Sequence, residues 1–77
     1  ICTNATYHGN SEAVGALTRL TAERIEAGDV AAIPFPETFR PIKPGATEAE
    51  LCEAYLDRLQ SAIRALEADG TGFAGLI

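Results

Sequence analysis

Phe73-Ala74-Gly75-Leu76-Ile77 contains no polar side chain, and the reading of this run decides the fold. A strand with one wet face alternates apolar and polar residues, whereas a strand covered on both faces is apolar throughout. The run is therefore expected to be a strand inside a parallel sheet. The clearest element of the sequence lies just before it. Thr47-Glu48-Ala49-Glu50 places a hydroxyl three positions ahead of a glutamate, the capping-box pattern that starts a helix. Leu51, Cys52, Tyr55, Leu56, Leu59, Ala62, Ile63 and Leu66 then recur at three and four, which predicts one apolar stripe on a helix over 47–69. Glu50, Glu53, Asp57, Arg58, Arg64 and Glu67 fall on its other sides. Gly70 is the expected C′ residue, because glycine enters the left-handed turn without steric cost.

Pro36, Pro41 and Pro44 make 36–45 a loop, since a residue before proline is biased away from helix. Val30-Ala31-Ala32-Ile33 predicts a strand that Pro34 and Pro36 terminate. Ser11 is the expected N-cap of an earlier helix, with Glu12 in its first turn and Val14 and Leu17 at helical spacing. Gly15 weakens that helix. Ile1-Cys2-Thr3 reads as the end of a strand. The order predicts an α/β fold, a β-α-β-α-β segment of a mainly parallel sheet. The outer strands stand at the two ends, so residues 1–77 are expected to be a segment of a larger domain and not a complete one.

The bulk composition agrees with globular structure and removes several functions. The chain has 77 residues, 47% hydrophobic and 22% charged, and no methionine. A chain this short buries only about 60–65% of its unfolded surface, and small scaffolds usually need staples. Two cysteines and one histidine are a thin supply. Six Lys and Arg against eleven Asp and Glu give a net charge of −5. The six cations are scattered, which argues against nucleic acid as a partner. No run approaches the roughly 20 apolar residues of a membrane span, Val30 to Pro36 coming nearest, and no signal-peptide pattern opens the sequence. Cys2, Cys52 and His8 have no zinc spacing. Two free, buried cysteines in a reducing, cytoplasmic setting are expected.

In an open α/β sheet, ligands bind beyond the carboxyl ends of the strands. After the first strand that position holds Thr6-Tyr7-His8-Gly9-Asn10-Ser11. Tyr7 offers a flat face, His8 a proton or hydrogen bond near neutral pH, and Gly9 a close backbone approach. Ser11 and the free N–H groups after it either cap the helix or meet an anion. Taken alone, such a tripeptide also describes an ordinary turn. Gly70-Thr71-Gly72 lacks the lysine and the strand-to-helix context of a phosphate loop. His8 with Cys2 or Cys52 as a nucleophile pair has no orienting third group. The remaining carboxylates read as solvated helix faces.

Ile1-Cys2-Thr3-Asn4-Ala5-Thr6-Tyr7-His8-Gly9-Asn10-Ser11 resembles a strand and loop of the class III aminotransferases, pyridoxal-phosphate enzymes of fold type I that include the omega-amino-acid and alanine–glyoxylate types. Ile33-Pro34-Phe35-Pro36-Glu37-Thr38-Phe39-Arg40 is similar to the Pro-rich end of that family's next strand. Gly72-Phe73-Ala74-Gly75-Leu76-Ile77 is similar to the opening of the strand that leads toward the cofactor's acidic partner. The resemblance implies a segment of the large, cofactor-binding domain of a homodimeric enzyme that moves an amino group between an amine or amino acid and a keto acid. It implies pyridoxal 5′-phosphate as cofactor, with Tyr7 stacked on its ring, His8 beside it and Gly9 making room at the turn. The Schiff-base lysine has no counterpart here, because Lys43, the only lysine, sits in a Pro-rich loop at the wrong place in the order. The family's ring-nitrogen Asp is expected after Ile77 and its phosphate-binding turn before Ile1. The segment alone is accordingly expected to be inactive. The alternative is a small acidic α/β binding module that docks a partner through the helix over 47–69.

Overall fold

A computed structural model describes residues 1–3, 7, 9–11, 14–15 and 30–77. It is mixed α/β. Strand β1 (Cys2–Thr3) pairs in parallel with β2 (Ala32–Ile33), Cys2 opposite Ala32 and Thr3 opposite Ile33. The Cys2 N–H donates to the Ala31 carbonyl at 2.9 Å. The opposite edge of β1 is also occupied. Ile77 N–H donates to the Ile1 carbonyl at 3.1 Å, and Thr3 N–H donates to the Ile77 carbonyl at 3.0 Å. The Ile1 ammonium donates to the Gly75 carbonyl at 2.8 Å. Bonds that step two residues along one strand and return to a single residue of its neighbour are the parallel pattern. β1 thus lies between β2 and the 75–77 segment.

Helix α1 (Glu48–Ala68) follows the capping signal that announced it. Glu50 N–H donates to Thr47 Oγ1 at 3.3 Å, and Thr47 N–H donates to Glu50 Oε2 at 3.1 Å. Two backbone donors that the first helical turn leaves without partners are satisfied reciprocally. Thr47→Ala is expected to lower stability by about 1 kcal/mol, the usual cost of losing such a cap. A urea titration of the complete gene product followed by helical circular dichroism measures it. Glu50→Gln, which keeps an acceptor oxygen, should cost less.

At the other end Gly70 adopts φ +86°, the left-handed conformation expected of it. Gly70 N–H donates to the Glu67 carbonyl at 3.3 Å and Gly72 N–H to the Leu66 carbonyl at 2.9 Å. Thr71 N–H turns to Asp69 Oδ1 at 2.8 Å, and this bond holds the Asp69 carboxyl below its ordinary value. Near the N-terminus Ser11 is the cap its position predicts. Its Oγ accepts from Val14 N–H at 3.3 Å and its carbonyl from Gly15 N–H at 2.6 Å. Val14 and Gly15 are helical; the rest of the helix expected there lies outside the described residues.

The core is small. Among the described residues the buried apolar side chains are Cys2, Ile33 and Leu66. Here the structure corrects the expectation drawn from 73–77. Phe73, Leu76 and Ile77 are 43%, 49% and 53% exposed, because no described element covers them. The chain shows 5601 Å² of surface, where a compact monomer of its mass shows about 4,500 Å². Its radius of gyration is 13.4 Å, against about 11.5 Å for a compact chain of this length. No helix among the described residues is long and apolar enough to cross a membrane.

Candidate functional site

Tyr7 stands on the loop just past the carboxyl end of β1, the central segment, with its side chain 69% exposed. Gly9 has φ +117°, a conformation that residues with a side chain rarely adopt. A β-carbon there would meet Val14 Cγ1 at 3.5 Å, an ordinary contact, so backbone conformation and not crowding asks for glycine. The Ser11 cap then fixes the start of the following helix. β1, a left-handed glycine and a capped helix start therefore frame an aromatic ring open to solvent. His8 lies outside the described residues.

A second feature lies on the face of the sheet where Thr3, Ile33 and Leu76 meet α1. It is an apolar groove of about 1030 Å³, walled by Phe35, Phe39, Leu51, Tyr55, Leu56 and Leu59. Tyr7 and Gly9 do not line it. Tyr55 holds its shape. The Tyr55 hydroxyl accepts from Glu37 N–H at 3.2 Å and Ile42 N–H at 3.4 Å, and donates to the Glu37 carbonyl at 3.2 Å. It fastens the Pro-rich loop to the helix. Spacing alone makes Tyr55 a stripe residue. The available hint of its further role is the residue type, since a half-buried tyrosine normally finds a partner for its hydroxyl.

The two thiols diverge, which corrects the expectation that both are buried. Cys2 is buried at the centre of the sheet and Cys52 is exposed on α1; both are free. The stripe that carries Cys52 is only partly covered, so its position on that stripe did not imply burial. Burial pushes the Cys2 thiol above its ordinary pKa, with a smaller opposing pull from the terminal ammonium. Thiolate, not thiol, is the reacting species. Cys52 is therefore expected to alkylate with iodoacetamide well before Cys2. Peptide mapping of a timed reaction reads the order, and equal rates would contradict the buried position of Cys2.

Lys43 Nζ lies 4.0 Å from Glu50 Oε2, both side chains at least half exposed. An exposed ion pair of this kind contributes little to stability. Lys43 also lines an open hollow of about 400 Å³ with Ile42, Ala54, Asp57, Arg58 and Ser61. Among the described residues no group of three or more His, Cys, Asp and Glu is placed to hold a metal ion. Comparison with family models, with curated proteins and with solved structures finds no match to this chain.

Proposed function

We propose that this chain is a β-α-β-α-β segment of the large domain of a class III-type, pyridoxal-phosphate-dependent aminotransferase, cytoplasmic and homodimeric. The whole enzyme would move an amino group between a small amine or amino acid and a keto acid. The observation that carries the reading is the exposed Tyr7 ring beyond the carboxyl end of β1, between that strand and a helix that Ser11 caps. The Tyr7-His8-Gly9 sequence resembles the cofactor loop of that family, and the left-handed Gly9 gives it the sharp turn that such a loop needs. The bonds from β1 to both β2 and 75–77 support a parallel arrangement of more than two strands. The surface in excess of a compact monomer's supports a sector of a larger sheet.

The residues present fit one part of the cofactor. Tyr7 supplies a flat face for the pyridine ring, and Gly9 bends the backbone behind it. Lys43, exposed and paired with Glu50, does not fit the covalent attachment point. When bound, pyridoxal phosphate supplies the electron sink for carbanion chemistry. The part of this chain would be orientation: the Tyr7 ring would hold the pyridine from one face and keep water from it, and the resemblance implies His8 beside it.

The purified 77-residue chain mixed with pyridoxal phosphate, an amine and a keto acid should show no amino transfer. Turnover that is lost when borohydride fixes the cofactor to Lys43 would overturn the assignment of the attachment lysine to another part of the enzyme. A second reading, an acidic binding module that uses α1, is favoured by the groove along that helix. A module folds alone with a cooperative melt, and a sector of a larger domain does not.

A further inference from the structure

The hydrogen bonds of 36–42 all end on one atom. Among the described residues they are the two that the Tyr55 hydroxyl accepts, from Glu37 and Ile42 N–H, and the one that it donates, to the Glu37 carbonyl. A tyrosine hydroxyl offers one donor and two acceptor sites, so it is used here to capacity. Glu37 and Ile42 bracket Thr38-Phe39-Arg40-Pro41. Both ends of that stretch therefore hang from a single oxygen.

Little else fastens it. Pro36 and Pro41 have no N–H to give, and their rings fix φ, so the stretch is stiff within itself. Residues 35–40 are exposed, and Phe39, part of the groove wall, is 90% exposed. The turn that follows is held separately, Ala46 N–H donating to the Lys43 carbonyl at 3.3 Å. Segments with few buried apolar contacts and few hydrogen bonds open locally while the core stays closed. The facing wall of the groove is different in kind. Leu51, Tyr55 and Leu59 stand on α1, whose own ladder and cap keep them in place.

We infer that 36–42 is a strap latched by Tyr55, and that its release swings one wall of the groove outward while α1 and the sheet keep their positions. Its hinges are the ends of the neighbouring elements, Pro34 behind β2 and the turn at 43–46 ahead of the Thr47 cap.

The place of the strap gives the latch a consequence. β1 and β2 run parallel with Thr3 opposite Ile33, so the strap leaves the sheet at the same end as the loop that carries Tyr7. Ligands of α/β sheets gather at this end, and the loops there act as lids. The latch is the same whatever that ligand is.

Tyr55→Phe in the complete gene product keeps the ring in the groove and removes the oxygen. Amide hydrogen exchange read residue by residue tests the latch. Glu37 and Ile42 N–H should exchange at least tenfold faster, while Leu51 and Asp69 N–H, bonded at the two ends of α1, keep their rates. Chymotrypsin should cut after Phe39 faster in the same variant, because a strap that swings free reaches the protease. Exchange that stays slow, or that rises without faster cleavage, overturns the inference. So does a loss of protection that spreads through α1, which would make Tyr55 a support of the helix and not a latch.

Discussion

Leu66→Ala is expected to lower the stability of the fold by about 2–5 kcal/mol, the range for emptying a buried leucine site. Leu66 is 6% exposed and shares the described core with only Cys2 and Ile33. A native domain typically has only about 5–15 kcal/mol of stability in total. One methyl-rich side chain therefore accounts for a large share of it. Leu66 also sits where α1 ends, and its carbonyl receives the Gly72 N–H, so the cavity would form beside the turn that leads into 73–77. Leu56, half exposed on the same helix, is the control. Leu56→Ala should cost far less, because little of its surface leaves water on folding. Parallel urea titrations of the two variants of the complete gene product, followed by circular dichroism, read the difference. Equal losses would mean that the core is not where α1 meets the sheet.

Tyr7→Ala is the second large effect, and it falls on binding. An aromatic pair contributes about 0.5–1.5 kcal/mol beyond the area it buries, which is roughly a 2- to 13-fold change in affinity. In the complete gene product, Tyr7→Ala should release pyridoxal phosphate by at least that factor while the melting temperature hardly moves. The exposure of Tyr7 makes the second half of that expectation strong, since a side chain 69% exposed contributes little to folding. Tyr7→Phe keeps the ring and should restore retention. Dialysis followed by absorbance of the retained cofactor measures all three proteins. A melting temperature that falls in step with cofactor loss would make Tyr7 a packing residue.

What could be read from the sequence was local. The Thr47 and Glu50 cap joins groups three residues apart, so its pattern is visible in four letters. Gly70 and Ser11 are legible for the same reason: each satisfies backbone groups within one turn of itself. The clamp made by Tyr55 was not legible. Its partners, Glu37 and Ile42, lie 18 and 13 residues away, and no spacing rule links a helix position to a loop at that distance.

Cys52 and the 73–77 run show a different limit. Apolar patterning states which surface seeks cover, and it does not state whether the same chain supplies that cover. Cys2 sits between two neighbouring backbone segments and is buried. Ile77, bonded through its backbone to Ile1 and Thr3, is half exposed. The candidate loop was chosen by the rule that ligands gather beyond strand ends. Its chemistry came only from the resemblance of Tyr7-His8-Gly9.

The most direct measurement is cofactor content and amino transfer in the complete gene product, purified without added cofactor and then tested with amines and keto acids. The account predicts about one pyridoxal phosphate per chain, amino transfer, and loss of the bound cofactor in Tyr7→Ala with rescue in Tyr7→Phe. A protein that neither retains pyridoxal phosphate nor transfers an amino group, with or without Tyr7, would contradict it.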